Sequence, residues 1–186
     1  MNEQRFRVIK LVFVGLITLS IWSILIWQHL HEGVPSHYLL QSSDLPNISN
    51  WWGGLVLPVL TWLALAGVHK RILKSPPEHE LLLCKKIFIR FFIALCYGAM
   101  LSLSFVTGFS EISSVMFPAI LLFAMFIRVY REEFILGFIL SMSFTFGAVL
   151  PTIFGALIAI VSAIVYFCSQ FIYAQVKKLK LAKPKR

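Results

Sequence analysis

No charged residue occurs between Glu133 and Lys177. Taken as one helix, those 43 residues would extend about 65 Å, roughly twice the ~30 Å hydrocarbon core of a bilayer. The segment therefore has to turn back on itself. Gly147 and Pro151 mark the place, because a proline suits the first turn of a new helix, where its missing N–H costs nothing. The connection 147–152 is almost wholly apolar and is expected to lie shallow in the interface or against other protein, since unpaired backbone cannot face lipid.

The rest of the chain repeats this pattern. Apolar stretches fall at 8–28, 51–69, 87–109, 112–128, 134–150 and 152–175, each near the ~20 residues that cross a bilayer. With 59% hydrophobic residues, the chain exceeds the roughly 45–50% of a soluble domain. All 17 Lys and Arg residues fall before the first stretch or at its start (Arg5, Arg7, Lys10), around the second connection (Lys70 to Arg90), at Arg128 and Arg131, or in the tail from Lys177. Basic segments are retained on the cytoplasmic side during insertion. The expectation is a single-domain, all-α bundle of six transmembrane helices in three hairpins, with both termini cytoplasmic. Its compactness points to a bacterial inner (plasma) membrane. The first stretch lacks a small-x-small cleavage site before His29 and reads as an uncleaved span.

The net charge of +9 does not call for nucleic acid, because the basic residues are spread over four cytoplasmic segments. Anionic lipid headgroups at the cytoplasmic face are the expected partners, with an oligomer or a membrane partner subunit as a further possibility. Residues 78–86 form an amphipathic piece suited to that surface. Cys84, Cys96 and Cys168 do not fall where an oxidising compartment would pair them. Glu132 and Glu133 open the fifth span and Glu111 the fourth, where acidic groups complement the helix dipole. Ser110 is expected to cap the fourth. Pro58 and Pro118 can each kink a span. Small residues recur at helical spacing: Gly98 and Ser102; Gly137, Ser141 and Thr145; Gly155, Ala159 and Ala163. Such stripes let membrane helices approach closely. No Asp, Glu, Lys or Arg falls deep in a predicted span, which weighs against an ion-coupled transporter.

Chemistry concentrates in the first outer connection, residues 29–50, and in Trp51 and Trp52 directly after it. Three of the five histidines, His29, His31 and His37, occur there beside Glu32 and ahead of Asp44. His31, Glu32, His37 and Asp44 are the candidate acid, base or metal-binding groups. His29, His31 and His37 are the candidate ligands of a divalent metal such as zinc. His29 and His31 are two positions apart, so they converge only if the helix has ended before them. Heme does not fit, because His29 and His69 fall at opposite membrane faces. Ser36, Asn50, Trp51 and Trp52 are candidate substrate or lipid contacts. Against these stand structural roles: Ser36 starting a short interfacial helix over 37–41, Asn50 or Ser49 capping the second span, and the two tryptophans at the headgroup boundary. Gly53 and Gly54 would leave a flat backbone surface for a ligand. Two functions follow from this segment. One is a membrane-embedded enzyme acting on a lipid or lipid-linked substrate at the outer leaflet. The other is a non-enzymatic solute carrier or accessory subunit whose outer loop docks a partner.

Overall fold

The computed structural model describes residues 3–31, 33–38 and 47–182. Six α-helices make up nearly all of it: α1 (Glu3–His31), α2 (Gly53–Leu73), α3 (Pro77–Val106), α4 (Ser110–Ala124), α5 (Glu132–Phe146) and α6 (Val149–Ala182). Between α1 and α2 lie two three-residue strands, β1 (Ser36–Tyr38) and β2 (Asn47–Ser49), and a single 3₁₀ turn over Asn50–Trp52.

Among the described residues, four segments are long and apolar enough to cross a membrane: Glu3–His31, Asn50–Leu73, Pro77–Val106 and Val149–Lys177. They mark the chain as a membrane protein. Their outward faces carry large apolar side chains such as Leu16, Leu63, Phe92, Ile160 and Phe171, a coat that water would not tolerate over so wide an area. The helices α4 and α5 have 15 residues each, or about 22 Å.

Helix α5 is the centre of the bundle. It packs most extensively on α3 and also touches α2 and α6. Glycines at the expected spacing explain the closeness. A Cβ at Gly98 on α3 would collide with Ser141 of α5, and one at Gly137 on α5 would collide with the carbonyl of Phe91 on α3. Gly155 on α6 lies against Ile139 in the same way, its Cβ falling 2.7 Å from that side chain. Around these crossings Leu25, Ala94, Leu101, Ile120, Phe138 and Ile139 form one buried core. Dispersion between closely fitted surfaces holds such helices together where lipid is as apolar as the side chains.

Several expectations change. Residues 36–38 form a strand, not the start of a helix, and 39–41 lie outside the described residues. The strand pairs antiparallel with β2, Ser36 opposite Ser49 and Tyr38 opposite Asn47, and the Pro35 carbonyl accepts the Asn50 N–H at 3.1 Å. Near a membrane, backbone groups that leave a helix need partners, and this short ladder supplies them. Residues 78–86 are continuous with the third span inside α3. Phe109 occupies the cap of α4, and Ser110 is its first helical residue. Gly53 and Gly54 face protein: their Cβ positions fall 3.0 Å from Ala148 and 3.2 Å from Leu25. These glycines therefore let α2 approach α1 and the start of α6 and do not present a ligand surface.

The ends of the bundle differ in chemistry. At one end Phe105 meets Phe146 edge-on at 4.8 Å and Asn50 abuts Gly147, so the connections after α1, α3 and α5 lie together. At the other end Arg71 of α2 and Arg90 of α3 converge on Glu133 at the start of α5. Glu133 is only 2% exposed. Arg71 donates to it through both terminal nitrogens and also reaches Glu132 at 2.9 Å, while Arg90 approaches at 3.5 Å. Glu133 thus does more than complement a helix dipole. Burying a carboxylate without a partner is costly, and the two guanidiniums supply partners to Glu133 while tying three helices together. Beside it on α2, the His69 ring stacks on Phe6 of α1 at 4.2 Å.

Candidate functional site

The last two turns of α1 carry Trp27, Gln28, His29 and His31. Because α1 stays helical through His31, residues two apart leave the axis about 200° from one another. His29 turns toward α2, its ring edge-on to Trp51 at 5.7 Å, and Trp51 in turn lies 6.1 Å from Trp22. His31 turns the other way and stacks on Trp27 at 4.7 Å. The two histidines thus point to different sides of α1 in this structure. Among the described residues no group of three or more His, Cys, Asp or Glu side chains is placed to hold a metal ion.

His31 has a defined orientation. Its Nδ1 lies 2.9 Å from the carbonyl oxygen of Trp27, and a carbonyl can only accept, so Nδ1 carries the proton. In the neutral ring Nε2 is then the basic nitrogen, as an acid–base catalyst requires.

Two cavities open at this end of α1, the larger of them beside His31. The larger, about 380 Å³, is lined by Trp27, Gln28, His31, Gly33, Val34, Pro35 and Ser36. The smaller, about 120 Å³, lies deeper between α1 and the α5–α6 connection, and its polar lining comes from Gln28, Asn50, Ser143 and Thr145. Gln28 and Pro35 border both. The Gln28 Oε1 atom is buried and has no hydrogen-bond partner among the described residues. Leaving such an acceptor unsatisfied costs about 1–3 kcal/mol.

Asn50 closes the deeper cavity. It is buried at the start of the 3₁₀ turn, where the Ser49 hydroxyl caps the Trp51 N–H at 3.4 Å. Its amide packs directly on Gly147, which has φ 72° and ψ 173°; a Cβ there would overlap the Asn50 side chain. The backbone conformation is one that essentially only glycine adopts. Gly147 thus ends α5 and leaves room for Asn50 at the same time.

The remaining candidates are distributed as follows. Ser36 lines the larger cavity, and its hydroxyl accepts a hydrogen bond from the Asn47 amide at 3.0 Å. Its described bond is to an amide and not to a histidine. Trp51 and Trp52 are exposed at the end of the bundle. The backbone of His37 lies in β1 opposite Ile48, whereas Glu32 and Asp44 lie outside the described residues. Gln28 was not a sequence candidate. Its one signal was an uncharged amide in the last turn of an otherwise apolar span, three positions before His31.

Searches against protein-family models, curated proteins and solved structures found no match to this chain.

Proposed function

We propose that the protein is a membrane-embedded enzyme that acts on a lipid or lipid-linked substrate at the outer leaflet, in the cavity beside His31. The observation that carries this reading is the buried, unpartnered Gln28 Oε1 at the junction of the two cavities. A polar group held there without a donor among the described residues favours a ligand that brings an N–H or O–H to it. Trp22, Trp27 and Trp51 surround the same end, and tryptophan is favoured at the headgroup level. A headgroup would therefore enter the cavity while its chains stay in lipid. His31 Nε2 would take or give the proton, and Gln28 would orient the polar group. His37, Glu32 and Asp44, in the same connection, remain the proposed further acid–base groups, with Ser36, Asn50, Trp51 and Trp52 as proposed contacts.

The outward placement follows from the basic residues, which gather at the opposite end of the sequence hairpins. In this arrangement all six helices cross, in a bacterial inner membrane, with both termini inside. The short helices α4 and α5 would complete their crossings through the connections 125–131 and 147–148 in the interface.

The test is conversion of lipid by the purified protein in vesicles made from a total bacterial membrane lipid extract, followed by mass spectrometry. A species consumed by the native protein and spared by His31→Gln is expected. Identical lipid profiles with and without the native protein would contradict the enzymatic reading and favour a carrier or accessory subunit.

A further inference from the structure

A third cavity lies toward the other end of the molecule and does not depend on the function proposed above. It is a groove of about 450 Å³ between α1, α2 and α3, floored by α5. Its walls are apolar, formed by Phe6 and Phe13 of α1, Val68 and Ile72 of α2, and Phe88 and Phe91 of α3. Helix α1 reaches α3 across it through the edge-on pair Phe13 and Phe91 at 6.0 Å. Glu133 borders the groove, but its carboxylate is engaged by Arg71 and Arg90. Water gains little in such a space, and a hydrocarbon chain fills it with the contacts that its walls lack.

Charge identifies the kind of chain. The groove begins where Phe6 and Ile72 pack with Leu83, Cys84 and Ile87, so three separate basic segments meet at its mouth. Exposed Arg5, Lys70, Lys74, Lys85 and Lys86 each lie within two positions of one of these residues. Other local charges cancel: Arg7 pairs with Glu3 at 2.8 Å, and Arg71 and Arg90 balance Glu132 and Glu133. Beside these five cations the same segments carry Glu78 and Glu80, in the first turn of α3, so positive charge is in excess at this end. Basic side chains at a membrane surface concentrate anionic lipid, and Lys and Arg reach headgroups while their stems stay in apolar surroundings.

We propose that this groove holds one acyl chain of an anionic phospholipid whose headgroup lies at the basic end of the bundle, among the three segments that carry Arg5, Lys70, Lys74, Lys85 and Lys86. The lipid would wedge between α1 and α3 and belong to the bound structure, unlike the lipids that exchange around the outer faces.

Photo-crosslinking tests this. The native protein is reconstituted in phosphatidylcholine vesicles containing a minor fraction of phosphatidylglycerol with a diazirine on one acyl chain, or the same diazirine on phosphatidylcholine. Adducts are mapped by peptide mass spectrometry. Phosphatidylglycerol is expected to label 68–72 and 88–91 several-fold more than the exposed α6 face at Ile160 and Ile164, and several-fold more than phosphatidylcholine labels the groove. Filling the groove with Ala64→Trp, or neutralising its mouth with Lys70→Gln, Lys74→Gln, Lys85→Gln and Lys86→Gln, should reduce that labelling several-fold. Even labelling of all faces, or equal labelling of the groove by both lipids, would overturn the proposal. Since that comparison uses the native protein, a variant that fails to insert does not remove the test.

Discussion

Gln28 illustrates how one side chain can be informative because it is unsatisfied. Its buried Oε1 has no donor among the described residues, so replacing it by leucine removes a cost without removing a hydrogen bond to any of them. We expect Gln28→Leu to leave the substrate-free protein as stable as the native form, or more stable by about 1 kcal/mol, when thermal unfolding is followed in detergent. A loss of several kcal/mol would show that the amide has a structural partner. Gly147 should behave in the opposite way. Its φ of 72° and its contact with Asn50 make Gly147→Ala destabilising by about 1–3 kcal/mol from the backbone alone, with the overlap added. Asn50→Ala in the same chain should restore the steric part and leave the backbone part. Full recovery, or none, would contradict that division.

At the scale of elements, the ion cluster joins α2, α3 and α5. Glu133→Gln leaves two guanidiniums facing a neutral amide and should cost about 3 kcal/mol, the lower end for a broken buried pair, because Arg71 and Arg90 keep some access to solvent. In a double-mutant cycle Glu133→Gln and Arg71→Gln should couple strongly; additive effects would mean that the pair does not form. This cluster was hidden in the sequence for a definite reason. Glu133 is joined to residues 62 and 43 positions away, and a glutamate at a helix start already has a sufficient local explanation in the dipole. The helices themselves were legible, because uncharged runs and helix length are tied by the thickness of the bilayer. Their ends were less so: α3 extends ten residues before its apolar stretch, since hydropathy marks the part in lipid and not the helix that continues into water. The small-residue stripes were read correctly as packing surfaces, with Gly98 against Ser141 as the plainest case. The strands β1 and β2 were illegible, because Ser-His-Tyr and Asn-Ile-Ser carry too little alternation to signal pairing.

For the whole molecule, two chemically different ends separated by an apolar bundle imply a fixed orientation in the membrane. A reporter fused after Gln41 should be active only outside the cytoplasm and one after Lys74 only within it; a reversal would place the His31 cavity on the wrong face. The candidate site was half legible. The histidine-rich connection identified the region and His31 within it, but helical continuation through His31 separated His29 from it, and Gln28 came into view once the cavities were seen. The most direct test of the central claim is the steady-state kinetics, on the lipid found to be converted, of the native protein, Gln28→Leu and His31→Gln. If a headgroup sits in this cavity with His31 as the acid–base group, His31→Gln lowers kcat by a factor of about 10²–10⁴, while Gln28→Leu acts mainly by raising KM. Unchanged kcat and KM in both variants would contradict the account and move the chemistry elsewhere in the molecule.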